Sequence, residues 1–307
     1  MGRPTGAQRR GTRRQRRPTG TERRPEPAAL PAVSSAEDLA RAWSKARAFM
    51  QRAAGVVQGE DQVYLLEARV GPLARARRSS IAGYVGDACA APLSSELQLE
   101  LLDALTTHET FFFRDAPFWL ALQEAVLPAA VAAAGGRPLR IWCAACSTGQ
   151  EPYTLAMTLK ETPALAGWKI EFVATDLSAD VLARARDGRY TQLEVNRGLP
   201  APLLVKYFEK SGIEWRVRKE LRDMIRFTEL NLTERFPPLP ACDLVFMRNV
   251  LIYFDVQTKR GILEAVKKVL RPDGYLFLGG AETTLNVHDG YERQAIERTS
   301  CYRLRKA

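Results

Sequence analysis

From Ser35 onward apolar residues fall at helical spacing: Leu39, Trp43, Ala46 and Met50 recur behind Ser35 and Asp38, which together resemble a capping box. The pattern predicts a helix opening there. A second helical segment runs from Gln62 to Val70 and is expected to stop at Gly71-Pro72; a third carries Leu97, Leu101, Leu102 and Leu105. No strand-like alternation precedes residue 135, so residues 34–134 read as a small N-terminal helical domain ending in a linker helix. Beyond Leu139 short apolar runs alternate with helical stretches. Strands are predicted at Leu139 to Cys143, Lys169 to Ala174, Ile225 to Leu230, Cys242 to Met247 and Tyr275 to Leu278, with helices at Glu151 to Lys160, Ala179 to Arg186 and Thr258 to Leu270. This alternation predicts an α/β domain over residues 135–307, built on a doubly wound parallel sheet. Two stretches depart from it. Ile213, Trp215 and Val217 alternate inside an insertion at about residues 189–223, predicting a small inserted β-subdomain with its own strand pair. Tyr291 to Leu304 alternates weakly, as an antiparallel edge strand would.

Composition changes this picture only at the N-terminus. With 307 residues, 46% hydrophobic and 26% charged, the chain has ample apolar surface for two cores, which excludes disorder throughout. Of the net charge of +10, residues 1–27 supply nine arginines against Glu22 and Glu26. The basic character therefore belongs to a tail, residues 1–33, expected to be disordered and outside the fold, and no specific nucleic acid is expected as a partner. The longest apolar run found, Ala125 to Ala134, is interrupted by Pro128, so no membrane insertion is expected. Five scattered cysteines suit reduced thiols in a cytoplasm. Cys143 and Cys146 have the spacing of a metal pair, but no second pair lies near and His108 and His288 are the only histidines, so no metal is expected.

In an open parallel sheet, ligands bind at the carboxyl ends of the strands, where chain order reverses. Each unusual polar cluster of this sequence falls at such an end. The first strand is followed by Cys143-Ala-Ala-Cys-Ser-Thr-Gly149-Gln-Glu151, small residues that would let the backbone approach a ligand. The second leads to Asp176, placed to accept hydrogen bonds from two ribose hydroxyls; later strands lead to Asn231-Leu232 and Arg248-Asn249. Gly149 stands alone where a dinucleotide site needs three glycines, so a ligand with ribose and no phosphate fits better, and S-adenosylmethionine is one.

Four segments in register make a resemblance specific: Thr106-Thr-His-Glu-Thr-Phe-Phe-Phe-Arg114-Asp, Ile141-Trp-Cys-Ala-Ala-Cys-Ser-Thr-Gly-Gln-Glu-Pro-Tyr153, Ala174-Thr-Asp-Leu and Met247-Arg-Asn-Val-Leu-Ile-Tyr-Phe254. Over roughly residues 36 to 305 the chain resembles the CheR-type chemotaxis receptor glutamate O-methyltransferases. The resemblance implies a Rossmann-like class I methyltransferase domain behind the helical domain. It implies that Thr110, Arg114, Glu151, Asp176, Asn231, Leu232, Arg248 and Asn249 contact S-adenosylmethionine, with S-adenosylhomocysteine as product. Arg114 and Tyr253 match the side chains that the family places near the transferred methyl, and are the candidate catalytic residues. Arg69, Arg75, Arg77 and Arg78 match the family's basic docking face for receptor helices. Where the family commonly has Asn, this chain has His108.

The implied reaction moves a methyl from a sulfonium to a carboxylate oxygen. A glutamate with a pKa of roughly 4.3 is already ionised at neutral pH, so no general base is required. Catalysis then rests on alignment at roughly 3–3.5 Å and on stripping water from the nucleophile. Neither histidine shows a carboxylate partner in the sequence, in keeping with a site that needs no base. The implied partners are cytoplasmic helices of methyl-accepting receptors, met by a monomer in the cytoplasm; the compact stretch Lys210 to Val217 points to an enzyme without a C-terminal receptor tether. The rivals are a methyltransferase for RNA or a small molecule, and a non-catalytic module that binds S-adenosylmethionine.

Overall fold

The computed structural model describes Gly2 and residues 34–92, 95–297 and 299–306. Apart from Gly2, the Arg-rich tail expected at residues 1–33 lies outside the described residues. The N-terminal helices are α1 (Ala36–Ala54), α2 (Gly71–Ala76), α3 (Ile81–Ala90) and α4 (Glu96–Leu105). The capping box forms as expected: the Asp38 N–H donates to Ser35 Oγ and the Ser35 N–H to the Asp38 carboxylate, each at 3.1 Å. Helix α3, not among the elements expected from the spacing of apolar residues, buries Tyr84, Val85 and Ala88 against α1 and α4. Trp43, Phe49, Met50, Leu66, Tyr84 and Leu101 form a core separate from that of the sheet.

Gly71-Pro72 does not end its helix. The chain takes a π turn over Leu66–Val70 and runs on into α2, the Gly71 N–H reaching back to the Leu66 carbonyl. Proline lacks an N–H and crowds the carbonyl four residues behind it; a wider turn accommodates both. The same solution recurs at Pro128, where a π turn at Leu122–Val126 joins α5 (Ala116–Ala121) to α6 (Leu127–Ala134). The result is one 19-residue helix, Ala116–Ala134, long and apolar enough by length and composition to cross a membrane, where the sequence suggested a ten-residue run. Its apolarity has a local cause: Phe118, Trp119, Leu122, Val126 and Leu127 are buried in the core against the sheet.

That sheet is built from β1 (Leu139–Ala144), β2 (Ile170–Asp176), β6 (Ile225–Glu229), β7 (Cys242–Met247), β8 (Leu270–Leu278), β9 (Tyr291–Ile296) and β10 (Thr299–Leu304), in the order β6-β2-β1-β7-β8-β10-β9. The first five strands in this order are parallel, and the C-terminal stretch is an antiparallel hairpin rather than a single edge strand. Helices α7 (Gln150–Lys160), α8 (Ala179–Asp187) and α12 (Val256–Val269) follow β1, β2 and β7, completing the expected doubly wound arrangement. The insertion holds β3 (Arg189–Tyr190), β4 (Phe208–Ser211) and β5 (Glu214–Val217) with short helices α9 (Gln192–Asn196), α10 (Ala201–Tyr207) and α11 (Lys219–Arg222). Its sheet has three strands, ordered β3-β5-β4, where a pair was expected.

Chain order reverses between β1 and β7. Register pairs Cys143 with both Ala174 and Phe246, so Ala145, Asp176 and Arg248 emerge side by side from three neighbouring strands. The helical domain closes over these strand ends: the Val57 N–H donates to the Tyr253 carbonyl at 2.8 Å, and Val56 forms an antiparallel bridge with Phe254.

Candidate active site

Between the helical domain and the strand ends lies a cavity lined by Thr110, Arg114, Glu151, Asp176, Asn231, Leu232, Arg248, Asn249 and Tyr253. Every cofactor and catalytic position singled out from the sequence is therefore on one wall or another of a single space. The loops that form it carry unusual backbone: Phe113 (φ 50°), Asp115 (φ 62°), Ala145 (φ 52°), Ser147 (φ 50°) and Asn249 (φ 59°) are left-handed without being glycine. Each such residue costs on the order of 1 kcal/mol, and such costs cluster where function demands a particular loop path. At Gly149 (φ 97°) a Cβ would lie 2.8 Å from the Tyr190 hydroxyl oxygen and 3.0 Å from Ala185 Cβ, so the packing of the loop against α8 and β3 itself requires glycine.

Asp176 ends β2 and is buried. Its Oδ2 accepts the Ser147 N–H at 2.7 Å and its Oδ1 the Ser178 N–H at 3.1 Å. Burial raises its pKa, outweighing those two N–H donors and the nearby His108. A carboxylate oxygen has two lone-pair directions, so one on each oxygen is left for a further donor, as a vicinal diol would supply.

Arg248 and Glu151 turn mostly towards protein. The Arg248 side chain is 1% exposed; its Nη1 donates to Glu151 Oε2 at 2.6 Å and its Nη2 to Asp115 Oδ2 at 2.5 Å. The guanidinium also lies over Phe118, 4.4 Å from the ring centroid. This ion triad ties the start of α7 and the loop before α5 to the end of β7. Asn231 is similarly committed: Nδ2 donates to the Ala53 carbonyl and to Glu234, while Oδ1 accepts from the Thr233 N–H and hydroxyl. All four hydrogen-bonding positions of its amide are filled within the protein, although the residue lines the cavity together with Leu232.

Glu282, overlooked in the sequence, organises the far strand ends. Its carboxylate accepts the N–H groups of Asn249 (2.7 Å), Ile252 (3.3 Å) and Gly279 (2.6 Å), locking the loop that carries Asn249 and Tyr253 to the end of β8. The signal was there to read, an acid just past the end of a predicted parallel strand.

Arg114 is half-buried and pairs with no carboxylate among the described residues; its guanidinium lies 5.5 Å from the Phe111 ring centroid. Tyr253 is also half-buried and stands in the same cavity. His108, contrary to the expectation that neither histidine has a carboxylate partner, has its Nε2 3.3 Å from Asp103 Oδ1 and 2.9 Å from Thr106 Oγ1. Burial pulls its pKa down, but the hydrogen bond and charge of Asp103, with Asp176 behind, outweigh this and leave it raised. His288 likewise meets Glu264 at 2.9 Å, far from the cavity on α12.

The four docking arginines divide. Arg75 and Arg78 are exposed, Arg77 is held bidentate by Glu100 (2.7 and 3.2 Å), and Arg69 donates to the Thr106 carbonyl at 2.7 Å and lines the cavity. Cys143, Cys146, Cys242 and Cys301 are buried thiols, and Cys89 is partly exposed. Among the described residues no group of three or more His, Cys, Asp or Glu is arranged to hold a metal.

A family model described as "CheR methyltransferase, SAM binding domain" matches residues 108–299. The chain is 38% identical over 253 residues to chemotaxis protein methyltransferase 1 of Pseudomonas aeruginosa, covering 80% of this chain and 91% of that protein. It is 34% identical over 263 residues to a chemotaxis protein methyltransferase of Vibrio parahaemolyticus, covering 84% of this chain and 94% of that protein. Among solved structures, a TehB-like SAM-dependent methyltransferase from Corynebacterium glutamicum aligns over 62% of this chain and 96% of its own, at 14% identity and a TM-score of 0.36.

Proposed function

The chain belongs to the CheR methyltransferase family, and on that premise we propose that it transfers the methyl group of S-adenosylmethionine to glutamate side chains of chemotaxis receptors, forming methyl esters. One observation carries the reading: residues scattered from Thr110 to Tyr253 converge on one cavity at the switch point of a doubly wound sheet, the site a class I methyltransferase fold uses.

The residues fit an adenosyl sulfonium. Asp176 keeps two acceptor directions for a ribose, Asn231 and Leu232 line the wall that an adenine would meet, and Arg114 has no carboxylate partner among the described residues. The bound cofactor supplies an electrophilic methyl. This chain's residues do the rest by position. Arg114 and Tyr253 orient the incoming carboxylate, the Arg248–Glu151–Asp115 triad holds the loop that presents Arg114, and the helical domain excludes water. The His108–Asp103 pair is not needed as a base, because the nucleophile is ionised before it arrives.

Receptor helices present carboxylates, and the exposed Arg75 and Arg78 offer them complementary charge beside the cavity wall formed by Arg69. The proposed setting is the cytoplasm and the acting species a monomer that binds no specific nucleic acid. The strands of the inserted sheet, two to four residues long, support action without a receptor tether. The test is incubation with methyl-labelled S-adenosylmethionine and receptor-bearing membranes. Label should enter the receptor band and leave as methanol in alkali; alkali-stable label, or label on RNA, would overturn the reading.

A further inference from the structure

Three consecutive contacts join the insertion to the loop that ends at Arg114. Glu109 accepts an ion-pair hydrogen bond from Arg197 Nη2 at 2.7 Å. The Arg197 guanidinium lies over Phe111, 4.3 Å from the ring centroid. Phe112, fully buried, is met edge-on by Tyr190 at 5.0 Å and Phe208 at 5.6 Å, both from the insertion. The next residue after Arg197 shows how tight the seam is: Gly198 (φ 92°) has no room for a Cβ, which would collide with the Phe112 carbonyl oxygen. Past these contacts the chain passes through two left-handed residues, Phe113 and Asp115, with Arg114 between them.

Arg114 rests against the same Phe111 ring that Arg197 covers. A guanidinium over an aromatic face is attracted by the ring quadrupole, and a ring pinned by one cation offers a fixed platform to the other. We infer that Arg197 is a positioning residue for methyl transfer, acting through Phe111 to hold the Arg114 guanidinium in the cavity, so that the insertion is a working part of the active site. This rests on the reading of Arg114 given above. Arg197 does not line the cofactor cavity, and it acts at a distance from the reacting atoms.

Steady-state transfer to receptor membranes by the full chain carrying Arg197→Ala should show kcat reduced about fivefold, as loss of a cation–π support implies. The receptor KM and the calorimetric affinity for S-adenosylmethionine should stay within about twofold of the parent. Phe111→Leu should reproduce the loss and Phe111→Tyr, which keeps the ring, should recover most of it. In an Arg114→Lys background, Arg197→Ala should add nothing, because the group it supports is gone. An unchanged kcat, a loss confined to receptor KM, or full additivity with Arg114→Lys would each overturn the inference. The two readings separate cleanly: an Arg114→Ala variant with full activity removes Arg114 from the site, whereas an inactive Arg114→Ala beside an unaltered Arg197→Ala rejects only the clamp.

Discussion

Arg248 and Glu151 meet at 2.6 Å in a pair whose guanidinium is almost wholly out of water, while the same guanidinium reaches the half-exposed Asp115 on its other side. Removing one partner of a buried pair strands the other. Arg248→Met should therefore destabilise the protein by about 3 kcal/mol in urea unfolding, because Glu151 loses its counter-charge. Glu151→Gln should cost less, since Arg248 retains Asp115. Adding Glu151→Gln to Arg248→Met should return part of the loss; strictly additive losses would contradict the pairing.

Asp176 accepts one backbone N–H on each oxygen. In Asp176→Asn one of those N–H groups must face an amide donor, and the charge that would attract the ribose hydroxyls is gone. Calorimetry should show affinity for S-adenosylmethionine weakened roughly 10- to 100-fold, the range of a lost charged hydrogen bond. A folded variant with parental affinity would separate Asp176 from the cofactor.

The His108–Asp103 pair gives stability a pH signature. Asp103 is held below its ordinary 3.8, chiefly by its hydrogen bond to His108, so its contribution is present above that value and fades as pH falls through the lowered pKa. The His108 pKa is raised above 6.5, so its contribution is full below 6.5 and fades as pH rises through the raised value. Melting curves of the parent and His108→Asn should differ most between these limits and converge towards alkaline pH. A difference that grows with pH would mean that the imidazole is favoured as the neutral form.

Among the docking arginines, reversing Arg75 and Arg78 to Glu should raise the receptor KM about tenfold at low salt, and less at high salt, with cofactor affinity unchanged. Arg77→Glu should instead show its effect in stability, because Glu100 would lose its partner and face a like charge. Arg69→Ala should disturb cofactor binding, since this side chain holds the loop at Thr106.

How much of this could be read from the sequence follows from the range of the forces involved. The capping box at Ser35 is settled within four residues, and polar residues at the ends of apolar runs mark the switch point because strands are short and parallel. Both were legible. The winding at Pro72 and Pro128 was not: whether a proline ends a helix or is absorbed by a wider turn depends on what the following residues can bury, and Leu127, Ala130 and Ala134 had a core waiting. The site residues were legible as a set and less so one by one. Nothing near Asn231 in the chain announces that its amide will be filled by Ala53, or near Arg69 that Thr106 will claim it. His108 found its carboxylate across a helix end, and a second contact to Asp103 came from Ser178 in another domain.

The thiols carry a practical consequence. Burial pushes Cys242 up to about 12 and Cys301 to about 11, and raises Cys143 and Cys146 well above the ordinary thiol value, while each of the four is shielded by packing. Alkylating reagents thus find Cys89 first, and the remaining sulfurs become visible only as strands part. The molecule carries a built-in set of opening reporters, with Cys143 in β1 and Cys146 in the cavity wall just beyond it, where their slow labelling would register whatever steadies the tip of β1.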